Sequence, residues 1–162
     1  MKVAGIIINY RTAPMTAAAV RTLLRELEAT GSSHLFIVDN DSGDGSVEYF
    51  EQKAQEENWG ERVTILAAPI NGGYGYGINL GARAAEALPE PPEYLYIVNS
   101  DAVPDAQSLR TLVNFLDEHP SVGIAGSRVH LPDGTTQGGA FRFLSAISEF
   151  ERQAELSVLR RL

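Results

Sequence analysis

The chain has 162 residues, of which 44% are hydrophobic and 21% charged, and its formal net charge is −8. This length and composition predict one globular domain with a sizeable core. The acidic balance argues against binding to nucleic acid or to an anionic membrane, because both need basic patches. The absence of cysteine excludes disulfides and zinc–thiolate sites. No apolar run reaches the roughly 18 residues of a membrane span, so we expect a cytoplasmic protein.

Short apolar runs alternate with longer segments of helical periodicity along the first 126 residues. The predicted strands are Val3–Ile8, Leu35–Val38, Val63–Ala68, Tyr94–Val98 and Val122–Gly126. The predicted helices between them run over Thr16–Ala29, Ser46 to about Glu57, about Tyr76 to Leu88, and Asp105–Glu118. Continuous apolar strands that alternate with helices predict an α/β fold, with a mostly parallel sheet covered by helices on both faces.

The character of the sequence changes after Gly126. The turn signal Pro132-Asp133-Gly134 predicts a hairpin or an extended excursion. We predict one domain over residues 1–143 and a helical tail over residues 144–162. The tail carries a loose apolar stripe with nothing left in the chain to cover it, so a homodimer through the tail is one expectation.

Polar segments follow four of the predicted strands where each strand ends. They are Asn9-Tyr10-Arg11, Asp39-Asn40-Asp41, Pro69-Ile70-Asn71-Gly72-Gly73 and Asn99-Ser100-Asp101. In parallel α/β sheets, ligands bind beyond the carboxyl ends of the strands. The sequence therefore predicts a ligand site built from these four segments.

Asp39 and the glycine-rich segment Asn71–Gly81 each have more than one interpretation. Helix capping explains Asp44 or Ser46 but not Asp39, which is still attached to its strand, so we favour a hydrogen bond from a ligand group such as a base N–H. The segment Asn71–Gly81 has five glycines in eleven residues. They serve either close backbone approach to a phosphate or sugar, or a flexible turn, or, for Gly77 and Gly81, packing of a helix on the sheet.

Asp101 is the carboxylate of the fourth segment. It is able to coordinate a hard divalent cation beside phosphate oxygens, with Asn99 and Ser100 as neutral oxygen donors nearby. It is equally well explained as the polar residue that ends a strand. Asp105, four residues later, is predicted to cap the helix that follows.

The order of these motifs resembles the N-terminal, nucleotide-sugar-binding half of family 2 glycosyltransferases, which have the Rossmann-like GT-A fold. It is most similar to the rhamnosyltransferase-like branch. That branch usually shows NxGFxxGxNxG where this chain has NGGYGYGINLG, and LNPDxxP where it has VNSDAVP. The resemblance covers about residues 3–140 in matching order and spacing. Five motifs in order are far more specific than any one of them.

The resemblance implies a transferase that moves a sugar from dTDP-rhamnose or a UDP-sugar to an acceptor hydroxyl with inversion. It implies that Asp39 recognises the base and that Asp101, the last aspartate of the DxD motif, holds Mg²⁺ or Mn²⁺ on the diphosphate. Because Asn99 replaces the leading aspartate, we expect the cation to be weakly held. The other implied donor-site residues are Asn9, Tyr10, Asn71, Gly73, Asn79, Asn99 and Ser100.

Family members continue into an acceptor-binding half that carries the catalytic base. No residue after Val129 offers a convincing base, so we expect it beyond residue 162 and read the tail as the start of that half. The complete enzyme would act on a glycan or lipid-linked acceptor in polysaccharide biosynthesis, peripheral to the inner face of the membrane. The alternative is a non-catalytic domain that binds a nucleotide or associates with itself.

Overall fold

The structure is a computed structural model that describes residues 2–31, 33–131 and 133–137. The chain forms two compact units, Met1–Ala125 and Gly126–Leu162. The strands of the first unit are β1 (Val3–Asn9), β2 (Ser33–Asp39), β3 (Val63–Ala67) and β4 (Tyr94–Asn99). Its helices are α1 (Ala13–Glu28), α2 (Ser46–Glu56), α3 (Tyr74–Glu86) and α4 (Ser108–Glu118), and a single 3₁₀ turn (Gly60–Arg62) precedes β3.

The four strands form one parallel sheet in the order β3-β2-β1-β4. Asn9 at the end of β1 is in register with Asp39 at the end of β2, and Ile8 is in register with Asn99 at the end of β4. The polar segments predicted from the sequence therefore leave the sheet at the same edge.

Helices cover both faces of the sheet, as predicted. All seven residues of β1 are buried, and their side chains alternate between two cores. Val3 and Ile7 belong to the core shared with α1, α2 and α4, whereas Ile6 and Ile8 belong to the core shared with α3. This two-sided burial explains why the central strand is a continuous apolar run.

The predicted fifth strand, Val122–Gly126, is wrong. The chain is irregular there, and Ile124 is 91% exposed. Glycines at positions 123 and 126 leave few side chains to pack, which weakens a strand. Among the described residues no strand pairs with the outer side of β4, whose Leu95 and Ile97 stay exposed.

The hairpin predicted around Asp133 is present in the second unit. Its strands, β5 (Val129–His130) and β6 (Thr136–Gln137), pair antiparallel. The Asp133 carboxylate accepts hydrogen bonds from the backbone N–H and the hydroxyl of Thr135, and Gly134 adopts a φ of 82°. The predicted boundary after residue 143 and the predicted tail lie outside the described residues. No helix in the part of the chain that the structure describes has the length and apolarity to cross a membrane.

Two glycines allow α3 to lie directly on β1. A Cβ atom at Gly81 would be 2.8 Å from Cγ2 of Ile6, and one at Gly77 would be 3.1 Å from Cδ1 of Ile8. These glycines therefore serve helix–sheet packing, one of the interpretations above. The close contact fixes where the first turn of α3 lies relative to the strand ends.

We predict that Gly81→Ala destabilises the protein. The added methyl meets Ile6, a fully buried β-branched side chain, and such overpacking costs about 1–3 kcal/mol. The helix propensity of alanine offsets only about 0.5–1 kcal/mol of this. Urea unfolding followed by circular dichroism measures the net loss.

Gly75→Ala is the matched control on the same helix. A Cβ atom at Gly75 meets nothing within 4 Å, so this substitution should leave stability unchanged or raise it. Equal free energies of unfolding for the two variants would contradict the close packing of α3 on β1.

Candidate functional site

A cavity of about 580 Å³ opens at the carboxyl edge of the sheet. Six of the nine predicted site residues line it, namely Tyr10, Asn71, Gly73, Asn99, Ser100 and Asp101. Its volume lies within the usual range for small-molecule sites. The parallel register brings these residues together from segments as far apart in the chain as Tyr10 and Asp101.

Asn9 and Asp39 lie behind the cavity wall and form a buried network with Ser42. The Asn9 side chain is completely buried, and its Nδ2 donates to Asp39 Oδ1 at 2.7 Å and to Ser42 Oγ at 3.2 Å. Its Oδ1 accepts from the hydroxyls of Thr12 and Thr16. Asn9 thus uses its whole side chain inside the protein, and its predicted place near the nucleotide stays a prediction.

Asp39 is 4% exposed and has most of its acceptor positions filled. Its Oδ1 accepts from Asn9 Nδ2 and Ser42 Oγ, and its Oδ2 accepts from the backbone N–H of Ser42 at 3.0 Å. A carboxylate offers about four acceptor positions, so one is left. Recognition of a base by Asp39 stays a prediction, and any such contact uses that last position.

A second network holds the turn before α3. Asn71 Oδ1 accepts from the backbone N–H of Gly73 at 3.1 Å and from Asn40 Nδ2 at 2.9 Å. Asn40 Nδ2 also donates to the carbonyl oxygen of Gly73 at 3.2 Å. Side chains from the end of β2 and from the turn thus fix the first residue of α3, Tyr74, at the cavity.

Tyr74 joins the start of α3 to the end of β4. Its hydroxyl donates to Asn99 Oδ1 at 2.6 Å. Burial, and then the negative charge of Asp101, raise the pKa of Tyr74 above its usual value, so the hydroxyl keeps its proton at neutral pH. An amide oxygen has two acceptor positions, so the predicted role of Asn99 as an oxygen donor near a cation stays a prediction, and its Nδ2 amide is available as well.

Asp101 is exposed and is the one charged side chain among the described residues that line the cavity. The described residues contain no group of three or more histidine, aspartate or glutamate side chains able to hold a metal. A single carboxylate nevertheless suits Mg²⁺, which keeps several waters and is often bound through one or two carboxylates together with substrate phosphates. The donor set therefore fits a cation that arrives with an anionic ligand.

The predicted capping role of Asp105 is wrong, because α4 starts later, at Ser108. The buried carboxylate of Glu26 on α1 takes that role, accepting from the backbone N–H groups of Gln107 at 3.0 Å and Leu109 at 3.2 Å. Negative charge is favourable at a helix N-terminus. A cap from a residue eighty positions away leaves no local signal in the sequence.

Asn79 is exposed on α3 and does not line the cavity. Five residues that were not singly predicted as site residues also line it, namely Ile8, Thr12, Met15, Asn40 and Tyr74. Asn40 lies in a polar segment at a strand end, and Tyr74 lies in the glycine-rich segment Asn71–Gly81. Both segments were predicted from the sequence, so these two residues could have been named as site candidates. Nothing local marks Thr12 or Met15, which reach the cavity from the loop after β1 and the first turn of α1.

The chain matches the model of Glycosyl transferase family 2 over residues 6–158. Curated protein sequences give no match. The similar solved structures include TarS residues 1–349 from S. aureus in complex with UDP-GlcNAc, at 22% identity and a TM-score of 0.59. The match covers 74% of this chain and 32% of that one.

A second similar structure is the mannosyltransferase PcManGT from Pyrobaculum calidifontis in complex with GDP-Man and Mn²⁺. It has 20% identity, a TM-score of 0.61, and coverage of 71% of this chain and 32% of that one. The chain thus spans about a third of the length of these structures, and the likeness establishes a shared GT-A fold. Because the family model spans most of its length, the chain belongs to glycosyl transferase family 2.

Proposed function

We propose that the chain binds the nucleotide-sugar donor of an inverting glycosyltransferase, with dTDP-rhamnose or a UDP-sugar as donor. The observation that carries the proposal is the cavity at the carboxyl edge, lined by six of the residues that the family resemblance assigns to the donor. Relatives of this fold bind UDP-GlcNAc and GDP-Man. The rhamnosyl preference rests on the sequence motifs alone.

The diphosphate would lie between the first turn of α3 and Asp101. Backbone N–H groups in the first turn of a helix have no acceptor within it, and here Gly73 and Tyr74 bring that turn to the cavity. With Asp101 as the one charged residue among those described in the lining, no side-chain cation is there to balance the phosphates. Asp101 would therefore hold Mg²⁺ or Mn²⁺, which offsets negative charge on the departing nucleoside diphosphate.

Asn99 would contact the donor through its amide N–H groups. Its Oδ1 accepts from the Tyr74 hydroxyl, which orients the amide, and two protons on Nδ2 remain. They suit a phosphate or sugar oxygen. Ser100 and Tyr10, which line the same cavity, would contact other parts of the donor, while Asn9 holds Asp39 in place from behind.

Transfer to an acceptor needs a base that takes the proton of the attacking hydroxyl. Asp101, the one carboxylate among the described lining residues, is assigned to the cation, so the base is left to a region outside this cavity. Binding of the glycan or lipid-linked acceptor, and any self-association, would likewise depend on parts of the protein other than the donor cavity.

We predict that the chain binds at least one of UDP, dTDP and GDP, more tightly with Mn²⁺ than without it. Asp101→Asn should abolish the gain from Mn²⁺ and leave metal-free affinity within about twofold, because the amide keeps the shape but loses the charge that attracts the cation. Titration calorimetry with and without Mn²⁺ measures both quantities.

Asp105→Asn is the matched control, since Asp105 is an exposed aspartate four residues further along the same loop. It should retain the full gain from Mn²⁺. A folded wild-type chain that binds none of the three nucleotides would contradict the proposed function. An undiminished gain in Asp101→Asn would contradict only the role of Asp101.

We predict that Tyr74→Phe weakens nucleotide binding by roughly three- to tenfold, because the hydrogen bond from the Asn99 amide to the ligand is lost and such a bond is worth about 0.5–1.5 kcal/mol. Without the hydroxyl, the Asn99 amide is free to rotate away from its binding orientation. The thermal unfolding temperature should change little, since Tyr74 is 47% exposed.

Tyr76→Phe, one half-turn further along α3, is the control and should bind as wild type. A lower unfolding temperature for Tyr74→Phe with unchanged affinity would show instead that the Tyr74–Asn99 bond only stabilises the fold.

A further inference from the structure

Arg11, in the loop that follows β1, has a strained backbone. Its φ is 56°, in the left-handed region that residues other than glycine, asparagine and aspartate rarely adopt. Four described residues other than glycine have such a φ, and two of them, Asp41 and Asn58, are of the tolerant types. Gln107 is a third, and its N–H is held by Glu26 at the start of α4. Arg11 needs a separate explanation, and strained residues are concentrated at functional sites.

Three contacts hold Arg11 in this conformation. Its backbone N–H donates to the hydroxyl oxygen of Ser42 at 2.9 Å, and its side-chain Nε donates to the carbonyl oxygen of Ser42 at 3.1 Å. Ser42 is 1% exposed and is itself bonded to Asn9 and Asp39. The guanidinium carbon lies over the Tyr10 ring, 5.2 Å from its centroid. The Arg11 side chain is thus bonded to a buried network and at the same time covers the ring of its neighbour.

The Tyr10 ring is the surface that this arrangement holds. It lines the cavity and is 43% exposed, so a ligand in the cavity is able to touch it. An exposed tyrosine side chain has several staggered rotamers, and ordering it only when a ligand binds costs affinity. A guanidinium is attracted by the negative face of an aromatic ring. Arg11 itself is not among the described residues that line the cavity, so its effect on a ligand would pass through Tyr10.

We infer that Arg11 is a positioning residue of the donor site, which holds the Tyr10 ring in place for the ligand. This inference rests on the proposed function and deepens it. The backbone conformation of Arg11 places the guanidinium over one face of the ring, and the other face and the edge are left for the ligand. The ring is ordered when the chain folds, so ligand binding no longer loses that conformational entropy.

The test compares two substitutions at the same position. Arg11→Gln removes the cation and Arg11→Lys retains one, while both keep the backbone N–H that bonds Ser42. The ligand is the tightest-binding of UDP, dTDP and GDP, titrated by calorimetry. Arg11→Gln should bind it roughly two- to fivefold more weakly than the wild type, as expected for one exposed cation–π contact, and Arg11→Lys should recover most of that loss. Their thermal unfolding temperatures should agree, because both have the same backbone strain.

The second half of the test repeats both substitutions in a chain that carries Tyr10→Leu, which keeps an apolar side chain without an aromatic face. There Arg11→Gln and Arg11→Lys should bind equally well, because no ring remains to be held. Lys53→Gln is the matched control. The Lys53 amino group lies 5.9 Å from the centroid of the Tyr49 ring on α2, and neither residue lines the cavity, so this loss of a cation should leave affinity unchanged.

Equal affinities of Arg11→Gln and Arg11→Lys, or wild-type affinity in Arg11→Gln, would overturn the inference and leave the proposed function intact. A difference between them that persists in the Tyr10→Leu chain would overturn it as well, since the cation would then attract the ligand's phosphates directly. Should Tyr10→Leu bind too weakly for titration, the comparison with Tyr10 present decides alone. A folded wild type that binds no nucleotide would overturn the proposed function, and this inference with it.

Discussion

The hydrogen bond between Asn9 Nδ2 and Asp39 Oδ1 joins the carboxyl ends of the two central strands, and the geometry of the site depends on it. A buried carboxylate is costly unless it is fully hydrogen-bonded. Asn9 and Ser42 supply three donors to Asp39, while the hydroxyls of Thr12 and Thr16 occupy the other end of the Asn9 amide. The network ties β1, β2 and the start of α1 together, so the residues beyond these strands have fixed positions.

Two further sets of hydrogen bonds connect this edge of the sheet to the start of α3 and to the end of β4. Asn40, the residue after Asp39, bonds the turn before α3 through Asn71 and Gly73. Tyr74 then bonds Asn99 at the end of β4. These contacts hold the first turn of α3 beside the strand ends. The close packing of Gly77 and Gly81 on β1 sets the distance between the helix and the sheet. The contacts that hold this turn at the cavity are thus made by neutral side chains and backbone groups.

The electrostatics follow from the same arrangement. The chain is acidic, and the one charge among the described lining residues is the carboxylate of Asp101. An anionic ligand is favourable there only if N–H groups and a cation offset its charge. A cation held by one carboxylate and by the ligand's phosphates binds tightly only when the ligand is present. Under the proposed function, donor binding and metal binding would therefore be coupled, and Asp101 would need few partners to hold the cation.

The sequence by itself determined the parallel sheet, the two covering layers and the meeting of polar strand ends at one edge, because these follow from apolar runs and from the direction of parallel strands. It also led through the order of its motifs to the family. It could not show which polar atoms are free, because that depends on partners 25 to 33 residues away along the chain. Tertiary structure alone decided that Asn9 and Asp39 are largely used internally, that Asn99 Oδ1 accepts from the Tyr74 hydroxyl, and that the buried side-chain oxygen without a partner among the described residues belongs to Asn40. It also decided against the strand at Val122–Gly126, since an apolar run becomes a strand only where another strand pairs with it.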